Sequence, residues 1–86
     1  KEQAGEYHAH VAGSAHIGRL TWVQRGQVRV AEHTIVPPEI GGRGVAGKLV
    51  DALIADAREQ GFKVDPQCSY VHAAFDKHPE WAELRA

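Results

Sequence analysis

A single amphipathic segment, together with the glycines before it, constrains the fold of this 86-residue chain more than any other feature. Between residues 44 and 60 the apolar side chains recur at helical spacing, at Val45, Ala46, Leu49, Val50, Leu53, Ile54 and Ala57. Such a one-sided stripe predicts a helix that packs on a sheet. Residues 28–36 before the helix and 62–64 after it are predicted to be strands. Because the helix returns the chain beside the strand at 28–36, we expect a right-handed crossover with these two strands as a parallel pair.

The N-terminal third of the chain predicts an antiparallel meander that leads into this unit. Gly13-Ser14 fits a two-residue hairpin loop, and Gln24-Arg25-Gly26-Gln27 fits the next turn. In the second strand the two-residue period slips at Gly18-Arg19, which predicts a bulge or an edge irregularity there. The fold class is therefore α/β, a three-stranded meander followed by helix, parallel strand and C-terminal helix. The predicted bounds are 6–11, 15–23, 28–36, 44–60, 62–64 and 69–77, with a last turn at 79–84.

Composition and charge indicate one globular domain over residues 1–86. The net charge of −1 gives no support for a nucleic-acid or membrane surface. No apolar run is long enough to span a bilayer, and the first residues lack the apolar segment of a signal peptide. A single cysteine excludes an intrachain disulfide and favours a reducing compartment. We therefore expect a cytoplasmic protein.

The glycine-rich segment at residues 41–47, before the long helix, predicts a site for a phosphate group. Glycines let the backbone adopt positive φ and approach a ligand closely. The free N–H groups and the positive dipole end of the helix favour an anion. The pattern Gly42-x-Gly44-x-x-Gly47, with Asp65 after the next strand, matches the dinucleotide fingerprint. Its context disagrees, because Pro37 and Pro38 separate the glycines from their strand and no further parallel strands follow.

Several segments together resemble the small single-domain GNAT-like N-acetyltransferases. The resemblance covers residues 31–84, about two-thirds of the chain, and is specific as an ensemble. The segments are His33-Thr34-Ile35-Val36-Pro37, Gly42-Arg43-Gly44-Val45-Ala46 followed by Leu49-Val50, Lys63-Val64-Asp65-Pro66-Gln67-Cys68-Ser69-Tyr70-Val71, and His78-Pro79-Glu80.

The resemblance implies a site for acetyl-coenzyme A, the co-substrate of such enzymes. The exposed edge of the third strand would pair with the amide-bearing pantetheine arm, and the loop N–H groups would hold the pyrophosphate. The residues implied are Thr34, Ile35, Val36, Gly41, Gly42, Arg43, Gly44, Val45, Ala46 and Cys68. In the wider superfamily the loop reads Arg/Gln-x-x-Gly-x-Gly/Ala. Gly41 stands in the first position here, so Arg43 is expected to replace that side-chain contact with phosphate.

Three residues are candidates for the chemistry of acetyl transfer. The small members of the family carry a cysteine at the position of Cys68, either as a lining of the acetyl pocket or as a nucleophile. His33 is a candidate acceptor for the amine proton, because histidine changes charge near neutral pH, and otherwise a hydrogen-bonded structural residue. Tyr70 lies near the place where larger relatives keep a tyrosine acid, and is otherwise a core aromatic. We expect direct attack of the amine on the thioester.

Two questions stay open from the sequence. His8, His10 and His16 could converge on a metal ion, but a solvated strand face explains them more simply and no metal is predicted. The acceptor is expected to be a small-molecule or peptide amine, and its identity and the oligomeric state cannot be read from the residues. The alternative function is a non-catalytic coenzyme A-binding sensor or accessory module. A dinucleotide-binding domain is the remote alternative.

Overall fold

The sheet has four strands in the order β1-β2-β3-β4, in a computed structural model that describes residues 3–86. Strands β1 (Gln3–His10), β2 (Ile17–Arg25) and β3 (Val28–Ile35) are antiparallel neighbours, and β4 (Lys63–Pro66) runs parallel to β3. Helix α1 (Val45–Gln60) connects β3 to β4, and α2 (Ser69–Lys77) follows β4. Short 3-10 helices form at Pro38–Ile40 and Pro79–Leu84. The predicted mixed α/β architecture is confirmed, and the described sheet lacks the further parallel strands of a dinucleotide-binding fold.

Both helices pack on the same face of the sheet and form one core with it. Leu20, Ala31 and Val64 share this face, since the strand register places them and their partners on one side. Helices α1 and α2 and the last 3-10 helix cover these residues with Leu49, Val50, Leu53, Ile54, Val71, Phe75, Trp81 and Leu84. The opposite face carries half-buried or exposed residues such as Val23, Val30 and His33. One face of the sheet is therefore open in the described chain.

The predicted bulge at Gly18-Arg19 is wrong. Pairing of β1 with β2 runs unbroken through Gly18 and Arg19. Gly18 instead faces α1, where a Cβ would lie only 2.5 Å from Cγ1 of Val45. This inward position therefore has a glycine instead of an apolar side chain, which interrupts the two-residue pattern. The irregularity lies between β2 and β3, where Thr21 pairs with His33 but Trp22 pairs with Ala31. Glu32 is the extra residue of this bulge.

Several predicted element boundaries also differ from the structure. Strands β1 and β2 were expected at 6–11 and 15–23 and lie at Gln3–His10 and Ile17–Arg25. The first hairpin has no two-residue loop: residues 11–16 join the strands, and Ser14 N donates to Val11 O at 3.1 Å around Gly13, whose φ is +81°. The fourth strand was expected to end before Pro66, whereas β4 includes it. Proline is tolerated there because β4 is an edge strand of the described sheet. The outer edge of β4 is bridged through Val64 to Arg85 near the C-terminus.

A buried arginine joins the far end of the meander to α1. Arg29 is 8% exposed, and its guanidinium lies 3.7 Å from the ring centre of Trp22. Its Nη1 donates to the hydroxyl of Tyr7 at 2.7 Å, and that hydroxyl donates to Asp56 of α1 at 2.8 Å. The chain of bonds satisfies a buried charge that is otherwise costly. Within residues 3–86, neither helix has the length and apolar composition needed to cross a membrane.

Candidate functional site

Strands β3 and β4 separate midway along β3, and this split leaves a strand edge unpaired. The last paired positions are Ala31 and Pro66, and Cys68 N still donates to Ala31 O at 2.9 Å. A tight turn, in which Gln67 N donates to Asp65 O at 3.0 Å, then directs the chain away into α2. Beyond Ala31, the side of β3 that faced β4 has no strand partner in the described chain. An unpaired strand edge can add an extended, amide-bearing chain.

The glycine loop places unpartnered N–H groups at the start of α1. Gly42 and Gly44 have φ of +76° and +71°, and Gly44 is the N-cap of the helix without any side-chain cap. Lys48 N donates to Gly44 O at 3.2 Å. Across residues 3–86, the N–H groups of residues 42–47 have no acceptor in the chain, whereas that of Gly41 donates to Pro38 O at 3.1 Å. The loop therefore has the donors that an anion requires, close to the start of a helix dipole.

Cys68 lies in the split, at the N-cap of α2. Its side chain is buried, and the hydroxyl of Thr34 lies 3.2 Å from its sulfur. Burial acts to raise the pKa of the thiol, but the Thr34 hydroxyl and the backbone N–H groups of Val71, Tyr70 and Thr34 favour the thiolate, and the net pKa is lowered. The two helical N–H groups act on the sulfur without completing a capping hydrogen bond of normal geometry. The thiolate is therefore more accessible at Cys68 than at an ordinary cysteine.

The structure separates the other two catalytic candidates from Cys68. His33 is exposed and pairs with Thr21 on the open face of the sheet, whereas Thr34, the next residue, faces the helices. Tyr70 is 45% exposed in the first turn of α2. Its hydroxyl lies near α1, 3.9 Å from the position that a Cβ at Gly47 would take. Thr34 and Cys68 are thus brought together in the split, while His33 and Tyr70 lie on either side of it.

Two concave surfaces adjoin the split. A cavity of about 250 Å³ lies between α1 and α2, with Gly47, Tyr70 and Trp81 among its lining residues. An open cleft of about 450 Å³ lies on the uncovered sheet face and includes Glu32 and Asp65. No motif in the sequence groups these two carboxylates. The two residues lie close together because of the β3–β4 register and the bulge in β3. Neither the register nor the bulge can be predicted from the spacing of residues in the sequence.

The three N-terminal histidines do not converge on a site. His8 Nε2 lies 2.8 Å from Glu6, and His16 Nδ1 lies 3.9 Å from Glu39. In the part of the chain that the structure describes, no three histidine, cysteine or acidic side chains are grouped so that they could hold a metal ion.

The fold consists of an antiparallel meander, a crossover helix, and a parallel strand pair that splits beside a helix N-terminus. This architecture is that of the minimal GNAT class of fold. The chain belongs to the GCN5-related N-acetyltransferase family, since the family model described as GCN5-related N-acetyl-transferase matches residues 6–84. This membership supports a general acetyltransferase role, and members of the family generally use acetyl-coenzyme A. No curated protein matches the chain.

Proposed function

We propose that this protein binds acetyl-coenzyme A and transfers the acetyl group to an amine by direct attack of the amine on the thioester. The observation that carries the proposal is the combination of an unpaired β3 edge with the unpartnered N–H groups of residues 42–47. Both features lie on the connection from β3 to α1. An extended chain on the strand edge and a phosphate at the helix start would satisfy both.

The strand edge and the glycine loop divide the binding of the coenzyme between them. The backbone of residues 34–36 can form hydrogen bonds with the pantetheine amides, because β4 no longer occupies that side of β3. The N–H groups at Gly42, Gly44 and the first turn of α1 suit the pyrophosphate. Arg43 is exposed beside them and supplies a guanidinium that can bind phosphate. In the wider superfamily an arginine or glutamine at the first loop position makes this contact. Here that position is Gly41, so Arg43 would make the contact instead.

The acetyl end of the ligand would lie toward the split, beside Thr34 and Cys68. Direct transfer requires that the thioester is held, that the amine can reach it, and that protons leave the amine and reach the departing sulfur. Cys68 then lines the acetyl pocket instead of forming a bond to the acetyl group. Tyr70 remains a candidate for protonating the coenzyme thiolate, and His33 remains a candidate for accepting the amine proton. The lowered pKa of Cys68 makes the nucleophilic alternative chemically possible, so the two routes need separate tests.

Ligand-dependent thermal stability tests the binding part of the proposal. A ligand at about a hundredfold excess over its dissociation constant stabilises the folded state by about 2.7 kcal/mol. We expect acetyl-coenzyme A and coenzyme A to raise the melting temperature, and NAD to leave it unchanged. A rise with NAD alone would contradict the proposal and favour a dinucleotide site at the same glycines.

A further inference from the structure

The open cleft on the uncovered sheet face lies next to the split between β3 and β4. Its volume is about 450 Å³, and its lining residues are Arg25, Val30, Glu32, His33, Asp65 and Gln67. The strand register explains this grouping, because Val30 pairs with Asp65 and the bulged residue Glu32 follows two positions later. A second cleft of about 350 Å³ shares Glu32 and continues across β2 toward Glu6. The two clefts meet at Glu32 on the open face.

Two carboxylates of this cleft form no ion pair of 4 Å or less among residues 3–86, although Arg25 lines the same cleft. These are Glu32 and Asp65, and the Asp65 carboxylate accepts a hydrogen bond from the neutral side-chain amide of Gln67 at 2.8 Å. Glu32 and Asp65 are both half-buried and belong to neighbouring strands. Adjacent strands lie about 4.8 Å apart, so one extended cation can reach both carboxylates. Two half-buried carboxylates share this cleft with one guanidinium, that of Arg25, so its lining keeps a net negative charge that attracts a positively charged ligand.

The other groups that face the cleft leave this negative character in place. Arg25 pairs with Val28 next to the β2–β3 turn and already takes part in an interaction within the chain. His33 is exposed opposite Thr21. The cleft therefore carries two carboxylates and one guanidinium, which leaves a net negative lining.

We propose, on the basis of the function proposed above, that this cleft binds the acceptor and selects a small aliphatic amine that carries a second positive charge. One amino group lies at the split, and the distal ammonium is held by Glu32 and Asp65. The attacking ammonium first loses a proton to His33, directly or through water in the open cleft. Its nitrogen then forms a bond to the acetyl carbon, the carbon–sulfur bond breaks, and the coenzyme leaves as a thiolate that takes up the second amine proton, relayed by Tyr70. The products are an acetamide and coenzyme A thiol.

Binding of simple amines to the full chain tests this inference without turnover. In nitrogen-15 NMR titrations, 1,4-diaminobutane should shift the backbone amides of β3 and β4 that border the cleft. It should bind at least about tenfold more tightly than n-butylamine, which lacks the second charge. Glu32→Gln and Asp65→Asn should each weaken diamine binding about fivefold, because each removes one charge partner. The matched control Glu59→Gln, an exposed residue of α1, should leave diamine binding unchanged.

Three results would overturn the inference. The first is equal affinity for the diamine and the monoamine, and the second is diamine binding that neither cleft substitution weakens. Tighter binding of a short basic peptide than of the diamine would likewise overturn the small-amine assignment. Acetyl-coenzyme A affinity is measured separately on the same variants and should not change. If the unmodified protein does not bind acetyl-coenzyme A, the proposed function is contradicted. The amine titration still tests the cleft on its own, because it is measured without the coenzyme.

Discussion

The hydroxyl oxygen of Thr34 lies 3.2 Å from the sulfur of Cys68, across the split between β3 and the chain that enters α2. The two residues are 34 positions apart in the sequence, and only the parallel pairing of β3 with β4 brings them together. The contact matters for chemistry, since a hydroxyl and a backbone N–H from Thr34 both favour the thiolate form of Cys68.

Thr34→Val should raise the pKa of the Cys68 thiol. The substitution removes one of the donors that outweigh burial, and valine keeps a similar shape. The ultraviolet absorbance of the thiolate measures this pKa cleanly, because Cys68 is the single cysteine. In the unmodified protein the midpoint should lie below that of an ordinary cysteine thiol, and in Thr34→Val it should move upward. Thr21→Val is the matched control, and an equal shift there would contradict the assignment.

Cys68→Ala separates pocket lining from covalent catalysis. If the amine attacks the thioester directly, the variant should bind acetyl-coenzyme A normally and keep at least about a tenth of the turnover. Incubation of the unmodified protein with acetyl-coenzyme A alone should leave its intact mass unchanged. A stoichiometric acetyl group on Cys68, discharged by an amine, together with loss of turnover in Cys68→Ala, would show that the thiol is the nucleophile.

Gly44→Val should weaken coenzyme binding far more than Lys48→Ala does. A side chain at Gly44 interferes with backbone approach to phosphate, whereas exposed Lys48 offers only a screened charge. Gly61→Val is the matched control for backbone strain. Gly61 caps the other end of α1 with φ of +77°, close to the +71° of Gly44, so valine strains the backbone similarly at both positions. Both glycine variants should lose about 1 kcal/mol or more of stability. Calorimetric titration should show reduced affinity for Gly44→Val alone, and equal affinities would contradict the loop as the phosphate site.

Tyr7→Phe should destabilise the protein and flatten its alkaline stability profile. Burial, followed by the hydrogen bond to Asp56, raises the pKa of Tyr7 to about 12, although Arg29 opposes the shift. The folded state therefore holds the phenol proton more tightly than the unfolded chain does. The resulting stabilisation is complete below about pH 10 and is lost as the pH rises to about 12.

Urea unfolding at several pH values measures both effects of this substitution. Near neutral pH, Tyr7→Phe should cost about 1 to 3 kcal/mol, because Arg29 and Asp56 each lose a partner. The difference between the two proteins should shrink above about pH 10. A Tyr70→Phe background leaves Tyr7 as the only tyrosine, so absorbance titration can report its ionisation directly. A midpoint near 10 would contradict the structure.

The order of elements could be predicted because each element depends on a local pattern. Helix α1 is marked by its apolar stripe and by a glycine at each end. Strand β3 is marked by its β-branched residues. The errors arose where a distant partner decides the local structure. Gly18 interrupts the pattern of β2 because α1 packs against it, and the bulge at Glu32 depends on the pairing of β3 with β2.

The candidate site was predicted only in part for the same reason. Glycine content and position predicted the loop at α1, and the family resemblance drew attention to Cys68. The donors that act on the thiol come from Thr34 and from the first turn of α2, so they depend on tertiary structure. The pairing of Arg29 with Tyr7 and Asp56 is equally distant in sequence, and none of the three stands out from the surrounding polar residues.

Transfer of a labelled acetyl group tests the central claim most directly. The protein is incubated with isotope-labelled acetyl-coenzyme A and a mixture of polyamines, amino acids and a peptide, and both products are quantified by mass spectrometry. We expect equal amounts of coenzyme A thiol and acetylated amine, formed well above the rate without protein and reduced in Gly44→Val. If acetyl-coenzyme A binds while its thioester breaks down no faster than in buffer, the protein is a coenzyme-binding module and the proposed acetyl transfer is contradicted.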